Sequence, residues 1–149
     1  MTTLPGLEGI TVARWVYGTL TADPTLQGLL GGAQQAAQRV VEGTYAGAAD
    51  LWVAFTVLPD FQDVKGVGMV QIMSRVQFQM KVVGKGTSYN PLIPVYQRAH
   101  ELLESKVAQE PAQGGLILTA ERVSGVQYPE RANGIEYRHL GGLYEALTQ

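Results

Sequence analysis

The clearest hydrophobic pattern in the chain is an alternation that runs from position 70 to position 83. One set of alternate positions is apolar apart from a single serine: Val70, Ile72, Ser74, Val76, Phe78, Met80 and Val82. The other set is mostly polar: Gln71, Met73, Arg75, Gln77, Gln79, Lys81 and Val83. A period of two over this length predicts a long β-strand with one buried face and one face towards water. The glycines at positions 84 and 86 predict a turn after the strand.

Helical spacing of apolar residues predicts two main helices. The first covers residues 10–20, and the second begins at Pro91 or Pro94 and continues to a stop at Glu110-Pro111. Between them, Asp23-Pro24 has the residues of an N-cap and first helical position, which predicts a short helix over residues 25–30. The alanine-rich residues 33–39 are compatible with either helix or loop.

Four further strands are predicted from shorter patterns. Residues 40–46 and 51–58 are predicted to form a hairpin, and the second of these, apolar on both faces, is predicted to be central. Residues 116–126 and 135–140 are predicted to pair through Asn133-Gly134, which favours a type I′ turn. Residues 59–68 and 128–134 are predicted loops. The expected fold is α+β, in one domain (1–149), with a mainly antiparallel sheet of about five strands and two main helices on one face.

Composition and charge restrict the classes of function. The chain of 149 residues contains no cysteine, and its charged residues amount to 16%, below the usual ~25%. A net charge of −2 argues against a nucleic-acid-binding protein, which normally carries a basic patch. No apolar run approaches the ~18 residues of a membrane-spanning helix, and the N-terminus lacks the pattern of a signal peptide, so no membrane partner is expected.

The candidate catalytic and binding motifs all lack required residues. A Walker loop would need glycine where Gln79 stands and serine or threonine where Gly86 stands, so the glycine turn is interpreted as a hinge. His100 and His139 lack the spacing of zinc ligands and are predicted to be partly exposed surface or interface residues. Asp60 and Asp63 are predicted to lie in a solvated loop. We therefore expect a protein that is not an enzyme and that uses no cofactor or metal.

The order of the parts resembles the tail terminator, or tail completion, proteins of long-tailed bacteriophages, over most of the chain. The similar parts are Ala22-Asp23-Pro24-Thr25-Leu26, the apolar strand Leu51-Trp52-Val53-Ala54-Phe55, the turn Val83-Gly84-Lys85-Gly86-Thr87-Ser88, and the closing segment from Tyr128-Pro129-Glu130 to Gly141-Gly142-Leu143-Tyr144. The closing segment, with its tyrosines and glycine pair, is the most specific of these.

The resemblance implies a structural virion protein. Members of that family form a homo-hexameric ring at the head-proximal end of the tail, where the ring stops polymerisation of the major tail tube protein and offers a surface to a head-completion or connector protein. DNA would pass through the lumen without specific binding. Two alternatives stay open at this stage, namely another neck component such as a head-closure protein and, with less support, a small-molecule-binding domain.

Three groups of residues are candidates for contacts with other subunits or with the tail tube. Exposed apolar groups among charges in a loop are typical of partner contacts. The candidates are Phe61, Asp63, Val64 and Lys65 in the loop 60–66, Arg75, Gln77, Gln79 and Lys81 on the polar strand face, and Tyr128 and Arg131 in the loop 128–133. The polar strand face could equally line a lumen, contact a neighbour or face water.

Overall fold

The elements of the fold come from a computed structural model that describes residues 7–59, 61–69, 71–105, 108–109 and 115–149. In chain order they are α1 (Glu8–Ala22), α2 (Pro24–Leu29), α3 (Ala33–Arg39), β1 (Val40–Glu42), β2 (Leu51–Val57), β3 (Gln62–Lys65), β4 (Gln71–Lys85), α4 (Ile93–Leu103), β5 (Ile117–Ala132) and β6 (Ile135–Thr148). Short 3₁₀ turns at Val67–Met69 and Asn90–Leu92 precede β4 and α4. The predicted α+β class is confirmed.

Strand β4, which the alternation predicts, lies at the centre of the sheet. The strand order in the described part of the chain is β1-β2-β4-β6-β5, and β3 pairs with the beginning of β4. The pairings of β4 with β2, β3 and β6, and of β5 with β6, are antiparallel. The sheet thus has six strands instead of about five, because β3 occupies part of the predicted loop 59–68. Positions 60 and 70 lie outside the described residues.

The core lies on one face of the sheet, here called the inner face. The apolar set of β4 from Val76 to Val82 is buried there beneath α1 and α4. At its centre the Phe78 ring stacks on Tyr144 of β6, with ring centroids 5.3 Å apart, and meets the Trp15 ring of α1 edge-on at 6.2 Å. Full burial of one such side chain contributes about 1.5–3 kcal/mol, so this trio alone attaches α1 firmly to the two central strands.

The predicted hairpin of β1 and β2 is wrong, because the two strands are parallel, with Val40 opposite Val53. Helix α3 leads directly into β1, so the chain enters the sheet parallel to β2. Since β1 has only three residues, the short connection 43–50 is long enough to bring the chain back. The connection is held by Tyr45, whose ring stacks on Trp52 at 4.8 Å and whose hydroxyl accepts a hydrogen bond from the Ala49 N–H. The central position predicted for β2 is confirmed.

The predicted loop 128–134 is also wrong, because β5 continues through it to Ala132 and β6 continues from Ile135 to Thr148. Only Asn133 and Gly134 turn, with φ of 52° and 77°, as the predicted type I′ turn requires. Pro129 is tolerated inside the strand because β5 lies at the sheet edge, where a missing donor interrupts nothing.

Helix α4 begins close to Pro94, as predicted, but ends at Leu103, earlier than predicted. Positions 107 and 110–111, where the predicted helix was to end, lie outside the described residues. The backbone of Ser105 instead pairs with Ala120, and that of Gln109 pairs with Ile117. These two bridges cover the start of the β5 edge, because the backbone after α4 forms hydrogen bonds with β5 and no longer forms helical ones.

The start of α2 is tied to α4 through a single carboxylate. Asp23 caps α2 as predicted, since its Oδ2 accepts a hydrogen bond of 2.9 Å from the Leu26 N–H. The Arg98 guanidinium of α4 binds both oxygens of the same carboxylate, at 2.9 and 2.7 Å. Hydrogen bonding from Arg98 is the main cause that holds the pKa of Asp23 below its usual range. Bidentate pairs of this kind fix geometry as well as charge.

We expect Asp23→Asn and Asp23→Ala to lower the free energy of unfolding for separable reasons. Asparagine keeps the cap and loses the charged pair with Arg98, whereas alanine also loses the cap, which costs about 0.5–2 kcal/mol more. Because the pKa of Asp23 is lower in the folded state, its charge stabilises the fold above pH ~4 and stops doing so as the pH falls through the folded value. Urea unfolding from neutral to acid pH should show the Asp23→Asn deficit shrinking. A deficit that stays constant with pH contradicts this assignment.

Candidate interaction surface

The outer face of the sheet, opposite α1 and α4, carries the polar set of β4 and its neighbours in register. Gln79 lies between Thr56 of β2 and Leu143 of β6, while Gln77 lies opposite Glu145. Gln77, Gln79 and Lys81 are half-buried, and Arg75 is exposed. On β4, amides therefore occupy the middle of this face between the cations Arg75 and Lys81, with Glu145 of β6 opposite Gln77.

The cations of β4 on this face each have a partner. Arg75 Nε lies 3.2 Å from Glu145 Oε1, and Lys85 Nζ lies 3.6 Å from Asp50 Oδ1. Lys81 Nζ donates to the Tyr128 hydroxyl at 3.0 Å. Exposed pairs of this kind contribute only ~0–1 kcal/mol each to the free energy of unfolding, so their main effect is on the electrostatic potential at this face. Carboxylates thus balance Arg75 and Lys85, whereas Lys81 keeps its charge because the Tyr128 hydroxyl is neutral.

The predicted loop residues Phe61, Asp63, Val64 and Lys65 lie on and beside β3, at the end of the sheet where β4 begins. The Phe61 ring fills the space where a side chain at Gly9 of α1 would lie, although 39% of Phe61 stays exposed. Asp63 is exposed, with Oδ1 3.4 Å from Ser74 Oγ, while Val64 is half-buried and Lys65 exposed. Arg75 joins this group, because it pairs in register with Gln62.

At its opposite end and along its β5 edge the sheet carries a hairpin, here called the arm, which consists of residues 121–132 of β5 and 135–141 of β6. Residues 137–141 of β6 also pair with β4, so only the tip around Asn133-Gly134 extends beyond the sheet. Side chains 121–131 of β5 are almost all exposed, although they belong to a regular strand. Val123 is 53% exposed and Ile135 41%. The arm therefore presents apolar side chains and one strand edge to the surroundings.

Tyr128 and Arg131 both lie on the arm but point to opposite sides of it. Tyr128 faces the outer side with Lys81, so the structure brings these two predicted residues together. Arg131 is exposed on the other side, with Nη1 4.0 Å from Glu136 Oε1. The predicted residues thus form two groups at opposite ends of the sheet, connected by Gln77 and Gln79.

A row of three ring side chains and one valine on the outer face was missed by the sequence analysis. Tyr128, His139, Val83 and Trp52 lie side by side across β5, β6, β4 and β2. The Tyr128 and His139 rings stack with centroids 4.3 Å apart, and Tyr137 meets Trp52 edge-on at 6.0 Å. The prediction of a partly exposed His139 is wrong, because only 5% of it is exposed. The signal was present, since a two-residue turn at Asn133-Gly134 already places Tyr128 opposite His139.

The glycine pair 141–142 allows the strands of this row to approach closely. A Cβ at Gly141 would collide with the Met80 carbonyl oxygen and with the Lys81 backbone. A Cβ at Gly142 would lie 3.0 Å from the Ser124 carbonyl oxygen. Without side chains in the way, Lys81 reaches across Gly141 to the arm, which explains physically why glycine stands at both positions.

On the inner face, β6 is attached to α4 by the buried hydroxyl of Tyr144. The Tyr144 hydroxyl lies 2.8 Å from His100 Nδ1, and burial raises the pKa of Tyr144 well above its usual range. Glu104 Oε1 accepts a hydrogen bond from the Arg122 N–H of β5. These contacts hold β5, β6 and α4 together. In the described part of the chain no cluster of three or more histidine, aspartate or glutamate side chains has the geometry of a metal site.

Comparison with known proteins gives a likeness of fold. No protein-family model matches the chain. A search of curated proteins also found no match. Among solved structures, a chain of the virion of a native gene transfer agent particle has a TM-score of 0.64 at 14% identity, covering 90% of this chain and 92% of that one. A second solved chain, at a TM-score of 0.45 and 13% identity, covers 74% of this chain and 80% of its own length and supports no argument. No helix in the described residues has the length and apolarity to cross a membrane.

We expect Gly141→Ala to destabilise the fold, with Gly18→Ala as the matched control. The added methyl at position 141 meets the backbone of β4, and overpacking of this kind costs about 1–3 kcal/mol. Gly18 lies in α1, where no atom comes within 4 Å of the position that a Cβ would occupy, so alanine there should stabilise the helix by about 0.5–1 kcal/mol. Urea unfolding of both variants measures the contrast. Equal free energies of unfolding for the two variants would show that β4 and β6 are not in close contact at this point.

Proposed function

We propose that this chain is a structural component of a phage or phage-like virion and, more narrowly, the tail terminator subunit that closes the head-proximal end of a tail tube. The observation that carries the proposal is the shared fold, over nine-tenths of the chain, with a protein of a gene transfer agent virion. The sequence resemblance to tail terminators supports the narrower role. The proposed role is structural and not catalytic.

The arrangement of exposed apolar residues suits a ring of identical subunits. A closed ring needs two different patches on each subunit, one of which meets the other patch on the next copy. The arm carries Val123 on its exposed β5 edge and Ile135 at its tip, and the opposite end of the sheet carries Phe61 and the fully exposed Val67. In this proposal these two ends meet in neighbouring subunits of a homo-hexamer.

The outer face of the sheet suits the wall of a DNA passage. Binding to DNA grows with the number of phosphates that a protein neutralises, because each releases counterions. Arg75 and Lys85 already pair with carboxylates, Gln77 and Gln79 add no charge, and Lys81, which donates to a neutral hydroxyl, keeps its single charge. In the proposed ring such a face would let DNA pass without holding it, while other surfaces bind the tail tube protein and the head-completion or connector protein.

A head-closure or other neck component is the second candidate, because the fold match is to a virion and not to one defined position in it. A small-molecule-binding domain receives no support from the described residues. Loss of a tail terminator and loss of a head-closure protein should have different effects on tail length, and this difference provides the test.

We expect particles assembled without this protein to contain tail tubes longer than normal, because a tube without a terminator continues to polymerise. Negative-stain electron microscopy of tails from a strain that lacks the gene measures their length distribution. Tails of normal length without heads would instead assign the chain to the head-closure role. Complete particles of normal length would contradict both.

A charge on the arm should prevent assembly without unfolding the subunit. Val123→Glu places a carboxylate on the exposed β5 edge of the arm, whereas Leu29→Glu introduces the same charge at an exposed apolar site on α2, away from both proposed patches. We expect Leu29→Glu to restore normal tails in the deletion strain and Val123→Glu to fail, although the two proteins have similar unfolding curves. Restoration by both variants would remove the arm from the proposed interface.

A further inference from the structure

Beyond residue 120, β5 depends on few contacts. All of residues 121–132 are described, and none of their side chains is buried. Arg122, near the start of this stretch, still contacts Glu104, but α4 ends at Leu103 and the covered part of the edge ends at Ala120. The outer half of the strand is therefore held by its hydrogen bonds to β6, by side-chain contacts with β6 and by the hydrogen bond from Lys81 of β4 to the Tyr128 hydroxyl. Strands with so little burial open locally at low free energy.

His139 provides the most buried of these contacts. Its ring stacks on Tyr128 with an angle of 12° between the planes, and its Nε2 lies 3.2 Å from Glu130 Oε1. Both partners belong to the arm strand β5, while His139 belongs to β6. One imidazole of β6 therefore contacts β5 at two residues, stacking on the ring of Tyr128 and forming a hydrogen bond with Glu130.

The two nitrogens of this imidazole have different surroundings. Nε2 faces the Glu130 carboxylate, so it carries the proton and donates it. Nδ1 is buried and has no hydrogen-bond partner among the described residues. A second proton would have to sit on Nδ1, which is shielded from solvent and has no acceptor among the described residues. Leaving a buried donor unsatisfied is costly, and more so for a charged group.

Groups on both strands that flank β6 act on the protonation of His139. From β5, Glu130 favours the protonated form and Tyr128 contributes a neutral ring. From β4, Lys81 opposes it, and the neighbour in register is the uncharged Val83. Burial is the largest influence, and the pKa of His139 consequently lies below its usual range.

We propose that His139 is a proton-sensitive latch. The neutral imidazole holds the β5 strand of the arm on β6 (the closed arm), and protonation of the imidazole releases that strand (the open arm). A group whose folded pKa is lowered binds protons more readily once it is released. The open arm therefore gains population as the pH falls below the ordinary histidine value of ~6.5, and the closed arm has its full stability above it. This inference concerns the fold of the subunit and does not depend on the proposed function.

Amide hydrogen exchange at about pH 7.5 and about pH 5, corrected for the intrinsic rates, tests the latch. We expect the protection of residues 124–132, relative to that of β2, to be partly lost at the lower pH. His139→Phe keeps a ring on Tyr128 but cannot be protonated, so its arm should lose this dependence on pH. His100→Gln removes the other histidine of the chain and should keep it.

Two results would overturn the proposal. One is arm protection that changes no more than that of β2 between the two pH values. The other is the same dependence on pH in His139→Phe as in the wild type. Should His139→Phe fail to fold, an NMR titration of the wild-type imidazole decides the question. A ring that titrates at or above the ordinary histidine value refutes the latch, whereas a lowered value together with arm shifts that follow it supports the latch.

Discussion

The packing of Phe78 between Trp15 and Tyr144 is the contact on which the rest of this fold depends. It joins α1 to β4 and β6 at the centre of the inner face. Strand β4 in turn pairs with β2, β3 and β6, so these three strands take their register from it. Because burial of apolar surface is the main favourable term in folding, the inner face is where the subunit gains its stability. The outer face and the arm remain available for other contacts.

The division between a buried inner face and an exposed outer face explains how charge is distributed over the molecule. A half-exposed sheet face gains little from ion pairs, yet Arg75 and Lys85 each lie beside a carboxylate, while Lys81 donates to the neutral Tyr128 hydroxyl. The two ion pairs reduce the net charge of this face more than they stabilise it. The bidentate pair of Asp23 with Arg98 lies instead in the helix layer, where it joins the start of α2 to α4.

The arm shows how a protein presents a sheet edge without general aggregation. An unpaired edge invites pairing with any other strand, and charged residues and proline are the usual safeguards. Here Pro129 interrupts the edge, with Glu130 and Arg131 beside it, while Val123 and Ile135 remain exposed. An edge that is protected from indiscriminate pairing and yet apolar in places suits one specific contact surface.

The sequence alone determined the elements whose pattern is local. The alternation along β4, the cap at Asp23 and the turn at Asn133-Gly134 each depend on residues a few positions apart, and each was predicted correctly. The candidate residues Lys81 and Tyr128 could be named from the sequence, but not their contact. Only the tertiary structure decided the parallel pairing of β1, the extension of β5 through Pro129 and the burial of His139. Pairing partners and burial depend on strands distant in the chain, which local patterns do not encode.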